Sequence, residues 1–142
     1  MKKFTIFYAL LLSGSLSVHA TTETLPAIHH QIVGKWQWTR SANNCTEVYD
    51  YRSDGTYNCK SGAEETNSTC SISERPDANG FYELKAKIVK SNGAQDCGDG
   101  PPNEDPGPFT KYIMFHKAQP LHIVCQTPAL DQCFGPLRRV QP

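Results

Sequence analysis

The stretch Tyr82-Glu83-Leu84-Lys85-Ala86-Lys87-Ile88 alternates without a break. Tyr82, Leu84, Ala86 and Ile88 fall on one face, and Glu83, Lys85 and Lys87 on the other. A period of two with charge on one side marks a half-buried strand. Outward from it the same period recurs. Gly34 to Arg40 places Trp36 and Trp38 together, opposite Lys35, Gln37 and Thr39. Thr46 to Arg52 and Thr56 to Lys60 flank Ser53-Asp54-Gly55. With those three as the loop and Gly55 in a left-handed bulge position, Tyr51 faces Tyr57 and Tyr49 faces Cys59. Thr69 to Arg75 sets Cys70 and Ile72 against Ser71 and Ser73, and Pro76-Asp77-Ala78-Asn79-Gly80 turns the chain into Tyr82. Phe109 to Lys117 and Leu121 to Cys125 flank Ala118-Gln119-Pro120, and Cys133 to Val140 supplies a last strand whose Pro136 belongs at an edge or bulge. Helical patterns are nearly absent. The expectation is an all-β fold, an antiparallel up-and-down meander of about eight strands. Closing it into a small, disulfide-stapled barrel removes the exposed edges.

At 142 residues the chain has room for one domain. Its first twenty residues read as a signal peptide. Lys2 and Lys3 precede the apolar run Phe4–Leu12, and Val18-His19-Ala20 sets small residues at the cleavage positions. Residues 21–31 read as a flexible leader and 32–142 as a single barrel domain. No Cys follows Ala20 to take a lipid, and no later stretch is apolar enough to span a bilayer after cleavage. The compact, lysine-led signal looks bacterial, so the expected location is the periplasm or the medium. Fourteen basic residues balance fourteen acidic ones, which gives no electrostatic reason to expect nucleic acid as a partner.

All six cysteines follow the signal: Cys45, Cys59, Cys70, Cys97, Cys125 and Cys133. An even number in a short exported chain points to disulfides, and no C-x-x-C or zinc spacing competes. Fifteen connectivities are open in principle. Local spacing favours Cys125 with Cys133 and Cys59 with Cys70, each stapling a turn, which leaves Cys45 for Cys97. One connection stands apart. Ser91–Pro108 holds four Pro and four Gly, and carries Asp96, Asp99, Glu104 and Asp105 with no Lys or Arg. Its acidic spacing does not follow a calcium-binding loop, and no metal is expected.

Ile32-Val33-Gly34-Lys35-Trp36 resembles the G-x-W opening of the lipocalins and their calycin relatives, and the eight-strand meander fits them over nearly the whole exported chain. In that family an arginine of the last strand packs across the opening tryptophan. The resemblance therefore implies that Arg138 or Arg139 meets Trp36 and closes the barrel floor, where a guanidinium stacks on the indole face. It also implies a ligand inside the barrel.

No serine-nucleophile elbow, zinc-binding helix motif or phosphate loop occurs, so no enzyme activity and no cofactor are expected. His29 and His30 fall in the leader, where a solvated tail is expected. His116 and His122 face one another only if the loop between them has an odd number of residues. Two readings remain. In the first, the protein binds a small, partly apolar molecule against Trp38, Tyr49, Tyr51, Tyr57, Tyr82 and Tyr112. In the second, it is an inhibitor or immunity-type protein that engages an envelope protein through Asp96, Asp99, Glu104 and Asp105.

Overall fold

A computed structural model describes residues 28–102 and 107–141. The signal segment, most of the leader, Glu104 and Asp105 lie outside the described residues. Those described form eight strands: β1 (Gly34–Thr39), β2 (Thr46–Tyr51), β3 (Thr56–Ser61), β4 (Glu64–Ile72), β5 (Tyr82–Ser91), β6 (Pro108–Phe115), β7 (Leu121–Cys125) and β8 (Cys133–Arg139). Each runs antiparallel to the next, and β8 returns to β1 to close a barrel. Among the described residues no helix is long and apolar enough to cross a membrane.

The alternation read from the sequence decides which side chains point inward. Leu84 and Ala86 are buried while Lys85 and Lys87 are exposed. Tyr51 pairs with Tyr57 and Tyr49 with Cys59, as the three-residue loop requires. Gly55 takes a φ of 79° there, a conformation that costs a glycine little. The chain between His116 and His122 makes a four-residue turn closed by His116 N–H donating to Leu121 O. The even loop sends the two histidines to opposite faces, with His122 inside and His116 exposed. Pro136 sits where it was expected. Between His122↔Leu137 and Val124↔Phe134, β8 carries one residue more than β7, and Gly135-Pro136 fills that bulge.

One strand differs from its expected place. β4 begins at Glu64, not Thr69, because the chain turns at Gly62-Ala63 and pairs Ser61 with Glu64. The inward residues of its first half are Glu64, Thr66 and Ser68, all polar and all buried. Without an apolar face, periodicity had nothing to detect.

That shift also overturns one disulfide. In the β3–β4 hairpin Cys59 lies opposite Thr66, while Cys70 lies beyond Ser68, the partner of Tyr57. The offset is four residues, about 13 Å along a strand, and a disulfide requires Cα atoms within about 7 Å. Cys59 and Cys70 are unpaired thiols. The other two expected bonds are present: Cys45–Cys97, with Cα atoms 5.5 Å apart, and Cys125–Cys133, with Cα atoms 4.0 Å apart.

The closed end is built on Trp36, which is 2% exposed. Its indole N–H donates to Ile32 O at 2.7 Å. Of the two candidate arginines, Arg139 covers it, with the guanidinium carbon 4.3 Å from the ring centre. The same guanidinium donates to Val33 O at 2.8 Å and to Gln31 O. Gly34 is fixed by this contact: a Cβ there would stand 2.4 Å from Arg139 Nη1, and φ is +126°. The last leader residues are drawn into the floor. His30, expected in a solvated tail, instead packs edge-on against Tyr82 at 4.7 Å and accepts Ile32 N–H on Nδ1. Below Trp36 lies His122, 1% exposed, its ring 4.3 Å from the indole. Neither of its ring nitrogens has a hydrogen-bond partner. Burial, and then the charge of Arg139, push its pKa down from 6.5 to about 3.

Two outcomes follow from this floor. Trp36→Ala is expected to cost about 3–5 kcal/mol in chemical denaturation. A loss below about 1 kcal/mol would show that the ring does not hold the closed end. His122 stays neutral in the native state while the unfolded chain protonates its imidazole below about pH 6.5. Its full contribution is therefore present above that pH and is lost progressively as pH falls toward 3. Relative to His122→Phe, the wild type should lose up to about 1.4 kcal/mol per pH unit through this window. Parallel stability curves for the two proteins would refute this assignment.

Candidate functional site

The opposite end of the barrel is open. The inward positions there belong to the same alternation that fills the floor, but the side chains leave a cavity of about 390 Å³. Trp38 of β1 stands 5.1 Å from Phe134 of β8, ring centre to ring centre. Tyr49 and Tyr51 of β2 stack 6.3 Å apart, and Tyr51 stacks on Tyr57 of β3 at 4.8 Å. Leu84, Phe109 and Val124 complete the apolar wall. Burial pushes the phenols of Tyr49 and Tyr51 well above their usual pKa, and that of Tyr57 to about 12. They are fully protonated donors at neutral pH.

Four of the six aromatics expected at a binding wall thus line one cavity: Trp38, Tyr49, Tyr51 and Tyr57. Two do not. Tyr82 faces inward at the floor, packed against His30 and Phe115. Tyr112 alternates with Lys111 and Ile113, so it lies on the outer face, opposite Glu83. A strand's tyrosine is read correctly only when its phase is known, and Phe109, Ile113 and Phe115 set the phase of β6 against it.

The rim of the cavity is polar. Glu47, in phase with Tyr49, accepts the Tyr49 hydroxyl at 2.5 Å and the Ser61 hydroxyl at 3.1 Å. Arg40, Asp96 and Lys111 also reach the cavity. Glu47 and Lys111 were legible in principle, since each shares a face with aromatic neighbours two residues away. Arg40, two residues beyond Trp38, continues the inward phase of β1, whereas Asp96 follows no strand period and is brought in by the tertiary fold.

The long acidic connection, residues 92–107, provides that fold. Its first part lies across the β3–β4 hairpin, where Gln95 O accepts the N–H groups of Ala63 and Glu64 at 3.1 and 3.2 Å. Cys97 is tied through its disulfide to Cys45 and donates its N–H to Ser61 Oγ at 3.0 Å. Its carbonyl accepts Arg40 Nη1 at 2.7 Å and Asn43 Nδ2 at 3.0 Å. Of the four acidic residues expected to meet a protein partner, Asp96 is half-buried against the cavity. Asp99 is exposed and 3.5 Å from Arg40, a pair that adds little in water. Glu104 and Asp105 lie outside the described residues. Of the two that are described, Asp96 turns to the cavity and Asp99 to solvent.

No family model matches the chain, and no curated protein or solved structure matches it.

The two unpaired cysteines line the interior, where burial raises the pKa of Cys59 to about 12 and that of Cys70 to about 11. Thiols held protonated are slow nucleophiles. Denatured protein should take up two maleimides per chain without reductant, and native protein should react far more slowly. Uptake of none would restore a third disulfide, and uptake of four or more would remove one of the two described.

Proposed function

We propose that this chain is an exported, lipocalin-like binding protein that holds a small, partly apolar ligand in the open end of its barrel. The observation that carries the reading is the cavity of about 390 Å³, walled by Trp38, Tyr49, Tyr51, Tyr57, Phe109 and Phe134. That size lies within the range of small-molecule sites, and flat rings bearing hydroxyls suit a ligand with both apolar and polar parts. The resemblance to lipocalins gains support from Trp36, Gly34 and Arg139, which interlock at the closed end as that family's pattern implies. Two disulfides accord with an oxidising compartment, periplasmic or extracellular.

The reading is of binding without turnover. The hydroxyls nearest a bound molecule are phenols whose protons burial holds in place, so they are poor acids and bases at neutral pH. The alternative, an inhibitor that engages a protein through Asp96, Asp99, Glu104 and Asp105, has less behind it, because Asp96 is turned toward the cavity.

The neutral dye N-phenyl-1-naphthylamine tests the proposal. Its emission should rise saturably at one site per chain. Phe134→Trp, which enlarges a cavity-wall ring, should weaken binding by about tenfold or more, with the fold checked by circular dichroism. No saturable signal, or equal binding by the variant, would overturn the cavity as the ligand site.

A further inference from the structure

A hydroxyl on the cavity wall has no partner. Tyr51 lines the cavity and is only 4% exposed. Its ring lies against Tyr57, its register partner on β3, at 4.8 Å, and against Tyr49 at 6.3 Å, stacked with both. Among the described residues its hydroxyl makes no hydrogen bond. The unpartnered side-chain atoms sealed from solvent are Glu64 Oε1, Ser68 Oγ and the two ring nitrogens of His122. The Tyr51 oxygen is not one of them, so it keeps accessible surface, and the space that Tyr51 lines is the cavity.

The other two phenols of the wall have company. Tyr49 donates to Glu47, and Tyr57 has the Ser68 hydroxyl beside it. Glu47 shares the inner face of β2 with Tyr51, but it accepts the Tyr49 and Ser61 hydroxyls instead. The groups that act on Tyr51 are Tyr57, Cys70 and Cys59, every one a carrier of a proton that burial holds in place. Burial first, and then these three, raise the pKa of Tyr51 itself. At neutral pH the hydroxyl therefore has a proton to give, and no described residue takes it.

This orphan donor constrains what can lie against it. A wholly apolar molecule would strip the hydroxyl of water and leave its proton unpaired. An anionic oxygen would meet the proton but bring a charge into a setting where burial penalises charge. The cations that reach the cavity are engaged elsewhere, Arg40 with Cys97 O and Lys111 with Gln126 Oε1. A neutral acceptor meets both conditions. We infer that the ligand presents a neutral carbonyl oxygen, of a ketone, ester or amide, to the hydroxyl of Tyr51, with its apolar body among Trp38, Leu84, Phe109 and Phe134. This inference rests on the proposal that the cavity is the ligand site, and it adds the group by which the ligand is held.

Competition against N-phenyl-1-naphthylamine tests it. Three competitors share one body and differ in one group: 2-acetonaphthone, 2-isopropenylnaphthalene, which has a methylene in place of the carbonyl oxygen, and 2-naphthoate. The preference for ketone over alkene should be about tenfold greater in the wild type than in Tyr51→Phe, and naphthoate should compete weakest. Tyr112→Phe, on the outer face, should keep the wild-type preference. An unchanged preference in Tyr51→Phe, or tightest binding of naphthoate, would overturn the inference and leave the cavity in place. If Tyr51→Phe does not fold by circular dichroism, the infrared carbonyl stretch of 2-acetonaphthone bound to the wild type decides. It should lie below its value in hexane, and a stretch equal to that in hexane would overturn the inference. Dye that binds but is displaced by none of the three would also overturn it. Failure of the dye to bind takes the cavity reading and this inference together.

Discussion

The guanidinium of Arg139 lies on the indole of Trp36, and the closed barrel depends on that contact. β1 and β8 are joined by only two register pairs, Trp36↔Arg139 and Gln37↔Arg138. Every other neighbouring pair of strands shares at least four. The seam is therefore short of backbone hydrogen bonds, and side chains make up the difference. Arg139 binds Val33 and Gln31 carbonyls, Trp36 binds the Ile32 carbonyl, and the chain before β1 is drawn beneath the ring. A lysine would supply the charge but neither the flat stacking surface nor the forked donors. Gly34 is the backbone's concession to the same contact.

Once one end is sealed, the inward positions divide into two environments. At the floor, Trp36, His122 and Leu137 are buried with Phe115 packed against them, and even an imidazole is kept neutral there. At the other end, the same inward phase presents phenols, carboxylates and hydroxyls. Their satisfaction comes partly from one another and partly from a loop held down by a disulfide. The chain spends little apolar surface on the wall formed by β3 and the first half of β4. Its inward residues there, Ser61, Glu64, Thr66 and Ser68, are polar and buried.

Legibility in the sequence followed this division. Where the inner face is apolar, as in β5 from Tyr82 to Ile88 or the Tyr51–Tyr57 pair, period and register were plain. Where it is polar, the signal vanished: Glu64, Thr66 and Ser68 look like a loop, so the start of β4 was missed. The Cys59–Cys70 bond was then expected to staple one loop, whereas the tight turn at Gly62-Ala63 sets Cys59 opposite Thr66 and leaves Cys70 four residues away. Tyr112 failed for a related reason, since an aromatic residue was counted without the phase of its strand. Glu47 was visible as a neighbour of Tyr49, yet its partnership with Ser61 and Glu64 depends on the β3–β4 turn at Gly62-Ala63. Asp96 reaches the site through a long-range covalent tie that no local pattern encodes.

Because Gln31 and Arg139 are hydrogen-bonded, the two ends of the barrel's chain leave from one place, the floor. Val140 strengthens this by donating its N–H to Lys35 O. The mouth is at the far pole. Anything attached to either end, whether a tag, a second domain or a surface tether, therefore hangs from the sealed base and leaves the opening free to solvent. The same adjacency makes the barrel suited to circular permutation. A short linker across the floor would join the old ends, and new ones could be opened in an exposed turn such as Asp77–Gly80 without cutting a strand.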